Sequence, residues 1–232
     1  MDNRIKKCGS WGRVSLFILA LLLSCEFGTG LGKDSAQSKV DNHYKKKYYF
    51  SKDWFTNNIP TWEETLGHLK GKPNIHYLEI GVYEGRSFIW MLENILTHPT
   101  AKATCIDIFS PGQFQKKFLS NLKIGGFLEK VTIIKGRSQI ELRALPINSI
   151  DIVYIDGSHT AKNVLIDAVY SCQLLKTSGI MIFDDYLWRL DLPVESRPKI
   201  AIDSFIAVFS DYIEVIHHGY QLILKKVKKL HP

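Results

Sequence analysis

The sequence has few cysteines and lacks a long apolar run, an internal repeat and a nucleic-acid-binding motif. Its four cysteines stand 17, 80 and 67 positions apart. That spacing fits neither a paired metal site nor a disulfide framework, so Cys105 and Cys172, in apolar surroundings, are predicted to be buried free thiols. Hydrophobic residues make up 45% and charged residues 23%, a balance that excludes a mainly disordered, collagen-like or coiled-coil chain. The net charge of +7 comes partly from lysine runs at 45–47 and 225–229, which indicate solvated surface and no nucleic-acid partner.

The longest apolar run lies near the N-terminus, at residues 14–25, behind a basic segment. A membrane-spanning helix needs about 20 apolar residues, so these 12 are too few for a stable span. A basic segment followed by such a run is typical of a secretory signal, and residues 22–25 resemble a bacterial lipobox. Residues 1–32 are therefore predicted to be a signal peptide or membrane anchor, with the protein exported or membrane-associated. The alternative is an apolar extension that is not translocated, with the protein in the cytoplasm.

The remaining chain divides into two parts. Residues 33–70 are predicted to be a linker and an aromatic N-terminal arm, with a short helix after Pro60 that Thr61 caps. This arm either packs on the domain or shapes the mouth of a substrate site. Residues 71–232 form the predicted domain, in which apolar runs rich in β-branched residues alternate with helical segments. The predicted strands are 76–80, 103–108, 131–135, 150–155, 180–183, 212–216 and 220–224. The predicted helices are 87–96, 113–124, 139–145, 161–175 and 199–209.

This alternation predicts an α/β fold, doubly wound and Rossmann-like, with a seven-stranded, mostly parallel sheet. Only residues 217–219 separate the last two strands. A connection that short permits a hairpin and excludes a parallel crossover. The last strand is therefore predicted to be antiparallel.

A glycine-containing turn follows the first predicted strand in L-E-I-G-V-Y-E-G-R-S, residues 78–87. Glycine lets the backbone approach a ligand closely, and a helix N-terminus favours negative charge. Glu79 at the strand end could receive the amino group of an amino-acid-like ligand. The spacing G-x-x-x-G is not that of dinucleotide-binding folds, and a turn of this kind can also be purely structural.

Four aspartates follow other predicted strands. Asp107 ends the second strand, where an acidic side chain can accept both ribose hydroxyls, although it could equally cap a helix or a turn. Asp156, Asp184 and Asp185 follow the fourth and fifth strands and should converge on one cleft. Clustered carboxylates repel one another unless a cation or proton intervenes, and oxygen ligands suit Mg²⁺. The alternative is that one or two of them cap helices or bind backbone amides.

Together these motifs resemble the class I S-adenosylmethionine-dependent methyltransferases, closest to the small-molecule O-methyltransferase-like group with D-G-x-H and F-D-D-Y. The motifs E-I-G-x-x-x-G-x-S, C-I-D-x-F, Y-I-D-G-S-H and F-D-D-Y occur in family order between residues 77 and 227. The resemblance implies that S-adenosylmethionine is the cofactor. It also implies the following cofactor-binding residues: Glu79, Gly81 and Gly85 with Ser87 for the methionine part, Asp107 for the ribose and Ser138 near the adenine. Related metal-dependent members imply Asp156, Asp184 and Asp185 as Mg²⁺ ligands.

The sequence departs from that pattern at two positions. Ser158 stands where some metal-dependent relatives carry the aspartate that acts as the general base, and His159 follows it. Histidine titrates near neutrality and can take a hydroxyl proton, so His159 is the predicted base, with Asp156 beside it in the catalytic site. Alternatively, His159 only caps the following helix or binds near Asp185. Arg137 replaces the acid that binds the adenine amino group in many relatives.

The predicted activity is metal-assisted O-methylation of a small-molecule or sugar hydroxyl. The main alternative is a non-catalytic binding domain that keeps the cofactor fold and is exported or tethered at a membrane, since a fold does not guarantee an activity. Hydroxylation is a weaker alternative, because the sequence carries no iron signature of two histidines and one carboxylate.

Overall fold

The computed structural model describes residues 47–230. The predicted signal or anchor, and the linker up to residue 46, lie outside the described residues. Among the residues that are described, no helix combines the length and the apolarity that crossing a bilayer requires.

Helices and strands alternate from the arm to the end of the chain. The helices are α1 (Ile59–Leu66), α2 (Arg86–Asn94), α3 (Gln113–Gly125), α4 (Ser138–Glu141), α5 (Ala161–Leu174) and α6 (Lys199–Phe209). The strands are β1 (His76–Ile80), β2 (Lys102–Asp107), β3 (Val131–Lys135), β4 (Ile150–Ile155), β5 (Leu175–Phe183), β6 (Ile213–His218) and β7 (Leu222–Lys226).

The strands form one seven-stranded sheet in the order β3-β2-β1-β4-β5-β7-β6. All neighbouring strands pair in parallel except β7, which is antiparallel to both β5 and β6. The strand order reverses between β1 and β4, the position at which open α/β sheets bind ligands beyond their carboxyl ends. The predicted doubly wound, mostly parallel sheet with an antiparallel last strand is confirmed.

Several element boundaries differ from the prediction, most of all in β5 and β7. Strand β5 begins at Leu175, five residues before the predicted start at Ile180, and β7 extends to Lys226 instead of ending at Leu224. Leu175 pairs with Ile150 and Ile180 with Ile152, so residues 176–179 form an irregularity inside β5. The two lysines continue the ladder of β7, because ladder hydrogen bonds use the backbone and do not require apolar side chains. Helix α1 begins at Ile59, so Thr61 lies inside the helix and is not its cap.

The core occupies both faces of the sheet. Alternate residues of a strand point to opposite faces, and the two buried clusters divide accordingly. Tyr77 and Tyr154 pack with α1, α2 and the arm on one face, whereas Leu78 and Val153 pack with α5 and α6 on the other. Cys105 and Cys172 are buried free thiols, as predicted.

Candidate active site

A cavity of about 1130 Å³ opens at the carboxyl ends of β1, β2, β4 and β5. It has two ends of different character. One end is lined by the turn after β1 and by the segments after β2 and β3. The other end is lined by aspartates after β4 and β5, with one histidine. Seven of the predicted site residues line the cavity: Gly81, Asp107, Ser138, Asp156, His159, Asp184 and Asp185.

Gly81 brings the β1 turn into direct contact with the loop after β4. Its φ is +83°, and a Cβ built there would lie 2.1 Å from the backbone oxygen of Asp156 and 2.7 Å from Cα of Gly157. Backbone atoms at these distances cannot move aside as a side chain can. The turn therefore requires glycine for chain packing, in addition to any close approach of a ligand.

Asp107 organises the same turn through its carboxylate. Its Oδ2 accepts hydrogen bonds from the backbone amides of Val82 at 2.8 Å and Tyr83 at 3.1 Å, and its Oδ1 accepts one from Phe109 at 2.6 Å. Tyr83 and Phe109 both have positive φ, at 51° and 49°. Both oxygens keep lone pairs for further donors, because a carboxylate offers about four acceptor sites. The turn role foreseen as the alternative is thus present, and the ribose role stays a prediction.

Glu79, Gly85 and Ser87 are not among the residues that line the cavity, and their predicted role in binding the cofactor stays a prediction. The carboxylate of Glu79 is fully buried and accepts hydrogen bonds from Tyr77 Oη at 2.5 Å and Ser87 Oγ at 2.6 Å. Burial raises the pKa of Glu79 to about 8. A Cβ on Gly85 would meet the ring of Phe118 at 2.4 Å, so this glycine serves helix packing. The three residues join β1 to α2 beneath the turn.

Ser138 lies where the resemblance predicts the adenine, after β3. Its Oγ donates to Oδ2 of Asp167 at 3.0 Å, and Nε2 of the neighbouring Gln139 donates to Oδ1 of Asp167 at 2.9 Å. Gln139 and Arg137 also line the cavity. No sequence signal indicated Asp167, because it lies on α5, about 30 residues further along the chain.

The aspartates at the other end of the cavity are crowded. The hydroxyl of Tyr154 donates to Asp184 Oδ2 at 2.7 Å and lies 3.3 Å from Asp156 Oδ2. Burial and the neighbouring charges of Asp184 and Asp185 raise the pKa of Asp156 well above its usual range. The pKa of Asp184 is raised as well, by burial and by Asp185. This end of the cavity therefore favours a proton or another cation.

His159 forms an ion pair with one of these aspartates. Its Nε2 lies 2.7 Å from Oδ2 of Asp185, whose Oδ1 accepts a hydrogen bond from the hydroxyl of Tyr220 at 2.8 Å. The hydrogen bond to Asp185 raises the pKa of His159. The ring of Trp188 covers the imidazole, with centroids 4.5 Å apart. The backbone of Asp185 has a φ of +57°, an unusual value for a non-glycine residue.

The residues that could hold a metal differ in part from the predicted set. Asp156, His159 and Asp185 each offer a ligand atom within 4.8 Å of the others. Asp184 is outside this group, because its oxygens accept from Tyr154 and from Gln221 Nε2, the latter at 3.1 Å. Two carboxylates and an imidazole suit a divalent cation, so the donor set fits a metal with His159 in place of Asp184.

The aromatic arm forms part of the cavity wall, one of its two predicted roles. Trp54 lines the cavity and packs on Tyr83 with centroids 5.2 Å apart, and Tyr83 packs on Phe114 at 4.3 Å. The arm is fixed by the ion pair of Arg86 Nε with Asp53, at 2.7 Å. Tyr83 and Phe114 had no sequence signal as wall residues, since three distant segments meet there.

Comparison with known proteins shows what this domain is similar to. Residues 78–186 match a family described as a methyltransferase domain, and this stretch runs from β1 to just beyond β5. An uncharacterized protein of Acanthamoeba polyphaga mimivirus is 29% identical over 151 residues, which are 62% of this chain and 67% of that protein.

Two solved structures share the fold. The S-adenosylhomocysteine-bound methyltransferase of Podospora anserina gives a TM-score of 0.59 at 16% identity. The match covers 89% of this chain and 100% of that chain. The O-methyltransferase TomG of Streptomyces achromogenes, involved in tomaymycin synthesis and solved with S-adenosylmethionine, gives 0.61 at 15% identity, over 84% of this chain and 91% of that chain. The likeness of these structures shows the fold, and the family match over residues 78–186 bears out the predicted resemblance to methyltransferases.

Proposed function

We propose that this chain methylates a hydroxyl of a small molecule. The premise is its resemblance in sequence and fold to the class I S-adenosylmethionine-dependent methyltransferases. The observation that carries the proposal is the pairing of His159 Nε2 with Asp185 at 2.7 Å inside the cavity. A histidine held by a carboxylate is the arrangement of a general base, and it lies beside the strand ends where this fold binds its ligands.

The cofactor would occupy the end of the cavity lined by Gly81, Asp107 and Ser138. Gly81 offers no side chain to obstruct the methionine part. Asp107 has remaining lone pairs for the ribose hydroxyls, and the segment at Ser138 would lie beside the adenine. The sulfonium methyl would then face the aspartate end.

The reaction is an in-line displacement at the methyl carbon. The acceptor oxygen forms a bond to that carbon, the carbon–sulfur bond breaks, and the electron pair stays on sulfur, which leaves as S-adenosylhomocysteine. With Nε2–H donating to Asp185, the free Nδ1 of His159 takes the hydroxyl proton. Holding both reactants in this geometry supplies much of the rate, since a bimolecular encounter becomes a unimolecular step.

The charges of the cavity restrict the acceptor. Asp156, Asp184 and Asp185 line the acceptor end, while Arg137 lies on the cofactor side. An anionic acceptor would be repelled, so a neutral or cationic hydroxyl compound is favoured. The aromatic wall of Trp54, with Tyr83 behind it, offers a flat face to a sugar or a phenol.

Magnesium assistance is the finer part of the proposal. Asp156 and Asp185 would bind the cation through their oxygens, the ligands that Mg²⁺ prefers, and His159 beside them would stay the base. When bound, the cation would orient the acceptor hydroxyl and stabilise its alkoxide. Activity that is lost in EDTA and returns with Mg²⁺ in the wild type and in Asp184→Asn, but not in Asp156→Asn, supports the metal. Full activity in EDTA contradicts it.

The competing function is a non-catalytic binding domain, and the apolar run at residues 14–25 favours it, because export would separate the domain from cytosolic S-adenosylmethionine. Two experiments decide between these functions. Incubation of the full chain with methyl-labelled S-adenosylmethionine and neutral, cationic and anionic phenols and sugars should transfer label to neutral or cationic acceptors.

A reporter fused after residue 31 and probed with protease in sealed membranes tests targeting. A soluble cytosolic reporter would contradict export.

A further inference from the structure

Asp167 is a carboxylate that the proposed reaction does not use, yet it is fully buried next to the cavity. Its oxygens accept one hydrogen bond each from Ser138 Oγ and Gln139 Nε2, at 3.0 and 2.9 Å. The Nε2 of Gln139 also lies 2.8 Å from Ser138 Oγ, which closes the network. Burial raises the pKa of Asp167 to about 6, and the donors beside it, Ser138 and Gln139, are both neutral. Burying a charged carboxylate without a cationic partner costs free energy.

The segment that Asp167 holds is short. Helix α4 contains only the four residues Ser138–Glu141, which is about one turn. Isolated helices this short are not stable by themselves, so side-chain anchors must fix the segment. Ser138 and Gln139 both line the cavity, and Asp167 reaches them from behind, on α5.

The anchor also fixes which way the amide of Gln139 faces. An ionised carboxylate only accepts hydrogen bonds, so the NH₂ group of Gln139 must face Asp167. The amide oxygen, Oε1, is then the polar atom left for a ligand. Arg137 has only donors, and it stands where many relatives carry an acid for the adenine amino group. Oε1 of Gln139 can supply the acceptor that Arg137 cannot.

We propose that Asp167 is a positioning residue for the cofactor: it orients Gln139 so that Oε1 accepts a hydrogen bond from the amino group of the adenine. This inference rests on the proposed function, because it requires S-adenosylmethionine in the cavity. It gives a residue on a distant helix control over recognition of the base.

The test compares S-adenosylhomocysteine with S-inosylhomocysteine, which carries a carbonyl oxygen in place of the adenine amino group. Calorimetry of the full chain should show about tenfold tighter binding of the adenine compound, the value of one good hydrogen bond. Asp167→Asn keeps the volume but places a donor beside Gln139, so the amide can reverse and the ratio should fall to about threefold or less. Gln139→Ala, in a partly exposed side chain, should lower the ratio to the same extent.

Asp151→Ala is the matched control. Asp151 also holds neighbours through its carboxylate, the backbone amide of His76 and Nζ of Lys176, both at 2.8 Å, but at the opposite end of β4. This variant should lower the melting temperature and keep the tenfold ratio. A wild type that binds neither compound contradicts the proposed function. A wild type that binds both equally, or an Asp167→Asn variant that keeps the wild-type ratio, overturns the role of Asp167.

Discussion

The two ends of the cavity are stabilised in different ways. At the cofactor end, Asp107 accepts three backbone amides and Ser138 is bound to Asp167, so polar groups are satisfied within the chain. At the acceptor end, the charges of Asp184 and Asp185 raise the pKa of Asp156, Asp185 also raises that of Asp184, and the imidazole of His159 pairs with Asp185. Hydrogen bonds within the chain preform the cofactor end. At the acceptor end the carboxylates repel one another, and a ligand, proton or cation relieves that repulsion. Substitutions at the first should damage folding or affinity, and those at the second should damage turnover.

The largest effect is expected for Gly81→Ala. The new Cβ would lie 2.1 Å from a backbone oxygen, so the loops after β1 and β4 must separate, and we expect the protein to lose its fold. Gly126→Ala is the control, because Gly126 has a similar φ of +73° with nothing within 4 Å of the new Cβ. It should cost about 1–2 kcal/mol, the strain of a left-handed residue alone. Circular dichroism melts measure both. Equal losses would show that backbone strain, and not the contact with the β4 loop, explains Gly81.

The next effect belongs to the acceptor end. His159→Ala should lower kcat by about 10²–10⁴-fold, the usual contribution of a general base, with little change in cofactor KM. Ser158→Ala, at the preceding position, should leave kcat within about twofold, since a serine is a poor base. Steady-state kinetics with an acceptor that the labelling experiment identifies measures the ratio of the kcat values. A His159→Ala variant with wild-type kcat would assign His159 a structural role.

A smaller effect, on the affinity for S-adenosylhomocysteine, distinguishes the two ends of the cavity. Asp107→Asn keeps the size of the side chain but weakens acceptance from the ribose hydroxyls, so S-adenosylhomocysteine should bind about tenfold more weakly, or 1.4 kcal/mol. Asp185→Asn should bind it as the wild type does while lowering turnover. Calorimetry and kinetics on the two variants provide the comparison. Equal loss of cofactor affinity in both would contradict the division of the cavity proposed here.

The smallest effect is a gain in stability. The pKa of Asp156 is raised in the fold, so native protein binds this proton more tightly and its stability falls as pH rises above the usual carboxyl range. Asp156→Asn removes that dependence. In EDTA at pH 8 we expect a melting temperature roughly 2–4 °C above the wild type, as about 1 kcal/mol gives in a domain of this size. At pH 4 the difference should shrink. A lower melting temperature at pH 8 would mean that the carboxylate is not under strain.

Much of the fold was predictable because its signals are local. Alternating apolar strands and helices predict the doubly wound sheet, and the short connection before β7 predicts its direction. The starts of β5 and of α1 were wrong. Strand β5 begins with an irregular polar segment that an apolar pattern does not show, and Pro60 fits the first turn of a helix.

The site was predictable in position and less so in contacts. Strand ends place Asp107, Asp156 and Asp185 at the cavity without further information. Side-chain partners from distant segments decide the rest. Tyr154 and Gln221 turn Asp184 away from the candidate metal group, and no spacing in the sequence encodes that.

The claim that S-adenosylmethionine chemistry takes place in this cavity is tested most directly by calorimetric titration of the full chain with S-adenosylhomocysteine. We predict saturable binding at one site per chain, weakened in Asp107→Asn and unchanged in Asp185→Asn. No binding by wild-type protein that melts cooperatively, so that it is demonstrably folded, would contradict the account.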